Sequence, residues 1–251
     1  MSQMVYRGLT VINGPLIVVE RTRGVGYGEL VRIRDSGGNE RTGQVLEVST
    51  HAAVVQVFGG TAGLTQSATE CVFTGSALRI PVSRSMLGRV YTGLGLPRDG
   101  APLHLDGEMR DINGNPINPW SRVYPRDCIQ TGISAIDGMT TLIRGQKLPI
   151  FSGNGLPHNR LAAQITRQAR IRSADEEFTI VFCAMGIKHD VAQFFVRSFE
   201  ESGVLDRVAM FLSLADDPTM ERLVTPRSAL TLAEHLAFDC NMHVLVVMTD
   251  M

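Results

Sequence analysis

The alternation of apolar and polar positions divides the chain into two parts with different periodicities. Residues 4 to about 80 carry short runs rich in β-branched residues, separated by turn-forming clusters such as Asn13-Gly14-Pro15 and Gly59-Gly60. Runs of this length and spacing, with no convincing helical stretch between them, are typical of a small closed β-barrel with sealed edges. The runs are Val11-Ile12, Leu16–Val19, Leu30–Ile33, Gln44–Val48, Ala53–Phe58 and Cys71–Phe73.

After residue 126, strand-like and helix-like segments alternate. The strand-like segments are almost continuously apolar, which predicts burial on both faces and therefore a parallel sheet. They are Lys147–Phe151, Phe178–Met185, Ala209–Leu214 and His243–Thr249. The pattern indicates a doubly wound α/β domain with a mainly parallel sheet.

Helices are predicted between these strands. A third helix is predicted to begin with Thr225 as N-cap, because Pro226 then takes the first helical position, which suits its fixed φ. Two earlier amphipathic helices follow from apolar residues spaced four apart. Their faces are Leu161, Ile165 and Ala169, and then Val191, Phe195 and Phe199.

Glycine, proline and polar residues dominate the stretch between the two patterns, which is typical of a connector. We therefore predict a β-barrel domain over residues 1–78, a connector and domain entry over 79–125, and a partial nucleotide-binding-type domain over 126–251. The last predicted strand is followed only by Asp250 and Met251, without a covering helix. We expect the sequence to be a fragment of a longer protein.

Composition limits the functional classes. The 251 residues are 44% hydrophobic and 20% charged, with a formal net charge of −1 at pH 7, so no global field favours nucleic acid or anionic lipid. No apolar stretch approaches the roughly 20 residues of a membrane helix, and we expect a soluble cytosolic protein. The four cysteines are widely separated and are predicted to be reduced core residues rather than metal ligands.

The segment after the first predicted α/β strand has the position of a phosphate-binding loop without its defining residues. A working loop reads G-x-x-x-x-G-K-[ST], in which amides cradle phosphates, lysine reaches the terminal phosphates and the hydroxyl holds Mg²⁺. Here Ser152 and Pro157 replace the glycines, His158 replaces the lysine and Asn159 replaces the hydroxyl residue. The chain has only two lysines, Lys147 and Lys188, and neither lies in such a motif.

Two interpretations of this loop stay open. It is either a weakened nucleotide pocket, in which amides and the helix N-terminus attract phosphate, or a loop that caps a helix and packs against a neighbouring subunit. Lys147 and Arg160 are candidate contacts that would partly restore positive charge. The degenerate loop comprises Ser152, Gly153, Asn154, Gly155, Leu156, Pro157, His158 and Asn159.

Asp250 closes an apolar strand, the arrangement by which an aspartate reaches Mg²⁺ through its water shell. With Asn159 in place of the hydroxyl ligand, half of that metal site is lost. We therefore predict no bound metal, with a weak Mg²⁺ contact or a structural hydrogen bond as the alternatives for Asp250. No residue of the chain is predicted to be catalytic.

Four stretches resemble the B (beta) subunit of V-type and archaeal-type (A-type) rotary ATPases and ATP synthases. They are Asp127–Asp137, Arg144–Asn159, Asp216–Arg222 and His243–Met251, and the Gly-Leu-Pro-His-Asn form of the loop is the most specific. The resemblance spans essentially the whole chain. It implies an N-terminal barrel, an incomplete RecA-like domain of the P-loop NTPase type, and a C-terminal helical domain that is missing here.

The resemblance also implies a function. Such a subunit is non-catalytic and regulatory, alternates with the catalytic A (alpha) subunit in a hetero-hexameric ring, contacts central and peripheral stalk subunits, and meets the membrane only through the complex. It couples ATP synthesis or hydrolysis in the neighbouring catalytic subunit to proton or sodium transport. It lies in the cytoplasmic head of the complex. The resemblance implies an arginine that such a subunit supplies to the neighbour's catalytic site, and this residue would lie beyond Met251. No cofactor is required, but binding of ATP or ADP with Mg²⁺ at the degenerate loop or at an interface stays open.

The related catalytic subunits place a water-orienting carboxylate after the glycine that follows the second strand. In Met185-Gly186-Ile187 that position holds isoleucine, which can neither polarise water nor accept a proton. The rival hypotheses are a nucleic-acid-dependent hexameric motor and an autonomous ATPase. The motor would need an intact phosphate loop and a basic, aromatic-lined strand surface, and the ATPase would need lysine and Ser or Thr at positions 158 and 159.

Overall fold

A computed structural model describes residues 4–102, 106–114, 116–121, 126–171 and 177–251. Parts of the predicted connector, residues 103–105, 115 and 122–125, lie outside the described residues. The chain forms two compact units, the first made of the residues through Ile80 with Asp111–Asn113 and Pro218–Leu223, the second of the rest. The domain limits predicted at 78 and 125 stay predictions.

The first unit is one antiparallel sheet of seven strands in the order β1-β7-β4-β5-β6-β3-β2. Side chains alternate along each strand, so that one face forms a core in which Ile17, Ile33, Val55 and Phe73 are almost wholly buried. The strands are β1 (Met4–Arg7), β2 (Val11–Asn13), β3 (Leu16–Glu20), β4 (Glu29–Arg34), β5 (Glu40–Val48), β6 (Ala52–Val57) and β7 (Glu70–Ala77).

The predicted closure of this barrel is not complete within the described residues, because β1 and β2 end the strand order and do not pair with each other. The backbone between them bonds to another loop. The amide of Gly8 donates to the carbonyl of Thr69 at 2.9 Å, and that of Leu9 donates to Gln66 at 2.7 Å.

The remaining helices and strands lie in the second unit or are divided between the two units. They are β8 (Arg79–Val82), β9 (Val90–Tyr91), β10 (Glu108–Asp111), β11 (Cys128–Gln130), α1 (Ser134–Met139), β12 (Leu142–Ile143), α2 (His158–Gln168), β13 (Arg170–Ile171), β14 (Phe178–Ile187), α3 (His189–Glu201), β15 (Val208–Leu214), α4 (Thr219–Glu234) and β16 (His243–Thr249). None of the helices in the described part is long and apolar enough to cross a membrane.

A parallel sheet in the order β16-β14-β15-β9 forms the centre of the second unit. All seven residues of β15 are buried, as are eight of the ten in β14, which confirms the predicted parallel sheet. The Phe182 ring lies 4.6 Å from that of Phe195 and 5.3 Å from that of Phe199, so α3 packs its apolar face on β14. The chain passes from β15 back across β14 to β16, and the strand order therefore reverses at β14.

The predicted strand Lys147–Phe151 is wrong, since no ladder forms there in the described residues. An apolar run becomes a strand only where a neighbour supplies hydrogen bonds, and β16 is the last strand of the order on its side. Leu148 packs against the core. Ile150 and Phe151 are 49% and 92% exposed.

The predicted start of the third helix is also wrong. Helix α4 begins at Thr219, seven residues earlier than Pro226, which lies in its interior. Pro218 provides the start, because proline's φ suits the helix N-terminus and its carbonyl accepts from the amide of Glu221 at 2.9 Å. Pro226 costs the helix one backbone hydrogen bond, to the carbonyl of Arg222.

The cysteines divide into two pairs. Cys71 and Cys183 are buried as predicted, and burial raises the pKa of each thiol to about 12. Cys128 is exposed and Cys240 is half-buried, so the prediction of a core position is wrong for these two.

Gly43 marks the closest backbone approach in the first unit and allows a stability test. A Cβ there would lie 2.8 Å from the Gln56 carbonyl oxygen and 2.9 Å from the Val55 side chain. We expect Gly43→Ala to lower the free energy of unfolding by about 1–3 kcal/mol, since the strands must separate. Gly59→Ala is the matched control, because its Cβ would meet nothing within 4 Å. Equal urea midpoints for both variants would contradict this packing.

Candidate functional site

The degenerate loop is an exposed turn that leads into α2. The amide of Leu156 donates to the carbonyl of Gly153 at 3.3 Å, and Gly155 has a φ of 82°, a conformation that glycine adopts without strain. Pro157 precedes the helix with no side-chain cap. The sequence therefore folds here as a turn followed directly by a helix N-terminus, whose first amides have no intrahelical acceptor.

Part of the loop's donor capacity is already used. The amide of His158 donates to the carbonyl of Leu156 at 2.9 Å, and the Nδ1 atom of His158 lies 3.0 Å from the same oxygen. The amides of Asn154 and Gly155 have no hydrogen-bond partner among the described residues. Two amides and the helix N-terminus can attract an anion weakly.

The structure brings His158 and Asp250 together. Because a carbonyl can only accept, we assign the proton of His158 to Nδ1, and Nε2 then faces Asp250 at 3.9 Å from Oδ1. That distance is too long for a hydrogen bond. Asp250 follows β16 with a φ of 60°, an uncommon conformation that aspartate tolerates better than most residues.

Three buried polar atoms near the carboxyl end of the sheet have no protein partner in the described chain. They are Oδ1 of Asn159, Oγ1 of Thr249 and Oγ of Ser213. Register places Thr249 opposite Ala184 and Ser213 opposite Met185, on the two sides of β14. Sequence reasoning missed both hydroxyls, although Ser and Thr at the ends of apolar parallel strands were a usable signal.

These residues fit a weak polar ligand better than a tightly held Mg²⁺. Asp250 supplies one carboxylate and Asn159 one neutral amide oxygen, whereas the hydroxyl and the lysine of a working loop are replaced. Within the described ranges, no three His, Cys, Asp or Glu side chains are grouped to hold a metal ion. The prediction that no metal is bound stays a prediction.

Lys147 and Arg160 are not brought into the loop by any contact. Both are exposed, and neither forms an ion pair within the described residues. Arg160 lies in the first turn of α2, where a positive charge opposes the helix dipole. Their effect on a bound anion would be long-range attraction, which salt weakens.

Ile187 follows the glycine near the end of β14, at the position where the family resemblance implies a carboxylate in catalytic subunits. The register of β14 with β15 shifts between Met185 and Ile187, and Gly186 at this bulge has a φ of 69°. The Ile187 side chain is 5% exposed and belongs to the apolar core. It therefore seals the strand end against water and offers no group for proton transfer.

Asp137 fixes the chain at the entry to α1. Its Oδ1 accepts from the amide and hydroxyl of Thr131 at 2.9 and 2.7 Å, and Oδ2 accepts from the amide of Gly132 at 2.9 Å. Burial acts against ionisation, but these hydrogen bonds outweigh it, so the pKa of Asp137 is lowered. This is a structural turn.

Two family models match most of the chain. The ATP synthase alpha/beta family nucleotide-binding domain matches residues 132–251, and the beta-barrel domain of the same family matches residues 9–75. The chain belongs to the ATP synthase alpha/beta family. The family match confirms the predicted β-barrel followed by a nucleotide-binding α/β domain.

Relatives within this family are closely similar. The chain is 59% identical over 246 residues to the V-type ATP synthase beta chain 2 of Treponema pallidum, covering 98% of this chain and 51% of that protein. It is 58% identical over 246 residues to the B subunit of the A-type ATP synthase of Aeropyrum pernix, covering 98% and 53%. The chain thus spans about half the length of these relatives, and the resemblance inferred from the four stretches is confirmed.

The Asp137 turn gives a pH-dependent prediction. We expect Asp137→Asn to lower the free energy of unfolding by about 1–3 kcal/mol at neutral pH, because charge-assisted hydrogen bonds are lost. A lowered folded-state pKa stabilises the fold above the unfolded value of about 3.9, and this contribution disappears as pH falls through the folded pKa. The deficit of the variant should therefore shrink below about pH 3.9.

Urea unfolding of both proteins between neutral and acid pH provides the measurement. Asp127→Asn is the control, because Asp127 is exposed and 4.0 Å from Arg144, and exposed pairs contribute at most about 1 kcal/mol. A deficit for Asp137→Asn that grows toward acid pH would show that the sign of the linkage is wrong.

Proposed function

We propose that the chain is part of a non-catalytic regulatory B (beta) subunit of a V- or A-type rotary ATPase or ATP synthase. The observation that carries this proposal is the turn into α2, whose first two residues, His158 and Asn159, stand in place of the lysine and the hydroxyl residue of a working phosphate loop. The buried Ile187 supports it independently, since it removes the carboxylate that would orient water. The names of the similar relatives point to the same subunit.

In this proposal the subunit acts at its interfaces. It alternates with catalytic A subunits in a hetero-hexameric ring and forms one side of the neighbouring nucleotide site. It transmits conformational change to the central and peripheral stalk subunits. Chemistry in the neighbour is thereby coupled to proton or sodium transport. The subunit lies in the cytoplasmic head and meets the membrane only through the complex.

No cofactor is required in this role. The free amides of Asn154 and Gly155 would hold a phosphate group of ATP or ADP weakly, with His158 and Asn159 beside it. Asp250 would contact Mg²⁺, which keeps most of its water shell in proteins. No group of the loop would transfer a proton or attack phosphorus.

The nucleic-acid-dependent motor has no support from the family relatives. A net charge of −1 and an aromatic content of 6% do not suit a strand-binding channel, which needs positive charge and stacking side chains. Non-binding of single-stranded oligonucleotides would agree with this choice.

The loop can be tested by restoring what it lacks. We expect the double variant His158→Lys with Asn159→Thr to bind Mg-ATP about 10- to 100-fold more tightly, since one charge-assisted hydrogen bond contributes about 1.5–3 kcal/mol. Hydrolysis should stay undetectable, because Ile187 is unchanged. Isothermal titration calorimetry and a phosphate-release assay on the purified chain measure the two quantities.

His189→Lys is a matched control for the added charge. His189 is the first residue of α3, and its Nε2 lies 3.6 Å from Asp216 after β15, as His158 begins α2 beside Asp250. The control should leave Mg-ATP affinity unchanged. Turnover in the unmodified chain that disappears on substitution of His158 would overturn the non-catalytic assignment, as would rapid turnover in the double variant.

A further inference from the structure

A second constellation of polar side chains lies before β16, away from the residues of the degenerate loop in sequence. The Nδ1 atom of His235 lies 2.9 Å from Oδ2 of Asp239, and its Nε2 lies 3.7 Å from the sulfur of Cys240. The same Asp239 oxygen lies 2.9 Å from Nη1 of Arg110. All four residues belong to the second unit, and they line up as guanidinium, carboxylate, imidazole and thiol.

The backbone explains why the thiol reaches the imidazole. Residues His235–Asp239 form a π-helical turn, and the amide of Cys240 donates to the carbonyl of His235 at 3.1 Å, a bond between residues five apart. In an α-helix with 3.6 residues per turn, residues five apart point about 140° away from each other. The wider turn brings them onto one side, and such turns occur frequently at functional sites.

The hydrogen bonds assign the direction of proton transfer. A carboxylate can only accept, so the His235 proton is assigned to Nδ1, and Nε2 of the neutral ring is then the acceptor that faces the thiol. Arg110 holds Asp239 in place and also pairs with Glu108 at 3.0 Å. Glu234 is the other charged group near Arg110; burial raises its pKa and Arg110 opposes that rise.

We propose that Cys240 is an activated thiol and a modification site for small disulfides, with His235 as the acceptor of its proton. The thiol proton moves to Nε2 of His235, and the sulfur attacks one sulfur of the disulfide. A new S–S bond forms as the old one breaks, and the departing thiolate takes the proton from His235. Cys240 is oxidised to a mixed disulfide, and the small molecule is reduced to one thiol.

The other cysteines show why position matters. Cys71 and Cys183 are buried, so they are neither accessible nor readily ionised. Cys128 is more exposed than Cys240 but has no imidazole partner among the described residues. Accessibility alone would make Cys128 the faster thiol, whereas the histidine contact makes Cys240 the faster one.

The test compares these two thiols in the purified chain with 4,4′-dithiodipyridine, by stopped-flow absorbance. Cys128→Ser reports on Cys240, and Cys240→Ser reports on Cys128. An ordinary thiol is only about 1% thiolate at pH 6.5. A histidine that accepts the proton as the sulfur attacks removes this limit, so we expect Cys240 to react several-fold faster than Cys128 at this pH.

Removal of the proton acceptor separates activation from exposure. In the Cys128→Ser background, His235→Gln should reduce the Cys240 rate at pH 6.5 to the rate measured for Cys128. Above about pH 9, where thiols ionise unaided, the Cys240 rates with and without His235 should converge. Asp239→Asn should lower the rate in the same direction, because Asp239 is a positioning residue that fixes the ring.

Two results would overturn the proposal. One is a Cys240 rate at pH 6.5, measured in Cys128→Ser, that does not exceed the Cys128 rate measured in Cys240→Ser. The other is a fast Cys240 that stays fast in His235→Gln. If that variant does not fold, the pH profile of the Cys128→Ser protein decides: a Cys240 rate that stays above the Cys128 rate below about pH 7 supports proton acceptance by His235. A Cys240 rate that follows the Cys128 rate across the whole range contradicts it.

Discussion

The pairing of β14 with a parallel strand on each side is the constraint on which the second unit depends. Its ladder with β15 runs from Ile180 to Ile187, and its ladder with β16 from Phe178 to Ala184. Because all three strands point the same way, their carboxyl ends meet at one edge of the sheet. The buried faces of β14 and β15 hold that edge rigid, and the polar residues that follow the strands are positioned by apolar packing rather than by their own contacts.

The same edge shows how architecture and chemistry separate within this family. The turn at Gly155 leads directly into the N-terminus of α2, and Asp250 follows β16 at the same edge. The lysine and hydroxyl side chains of a working phosphate loop are replaced here by an imidazole and an amide, and the residue after Gly186 is a buried isoleucine. Backbone architecture and side-chain chemistry can therefore vary independently at one edge of a sheet.

Sequence alone predicted those features that depend on local pattern. The strand His243–Thr249 was found with its observed limits, since a run of apolar residues is bounded by polar ones. The strand Lys147–Phe151 failed because strand formation depends on a partner that periodicity does not reveal. The prediction of where α4 starts failed because Pro218 and Pro226 both signal a helix N-terminus, and the pattern was assigned to Pro226.

The candidate site, like the fold, was predicted only in those parts that follow from local sequence pattern. The loop and Asp250 follow from motif spacing, and the structure brings His158 next to Asp250. Ser213 and Thr249 could have been noticed at the ends of their apolar strands, but their positions on the two sides of β14 depend on strand register, which the sequence does not state. The Cys240 constellation depends on a helical turn of unusual width, for which residue type gives no clear signal.

That wide turn makes the thiol's neighbourhood depend on a count of residues as well as on their identities. On a helix of ordinary pitch, one residue fewer between His235 and Cys240 would place the two side chains four apart on one face, whereas one residue more would place them about 120° apart. Homologous chains that keep the same three side chains but carry an inserted residue there would lose the contact. Insertions and deletions in this segment are thus as informative as substitutions.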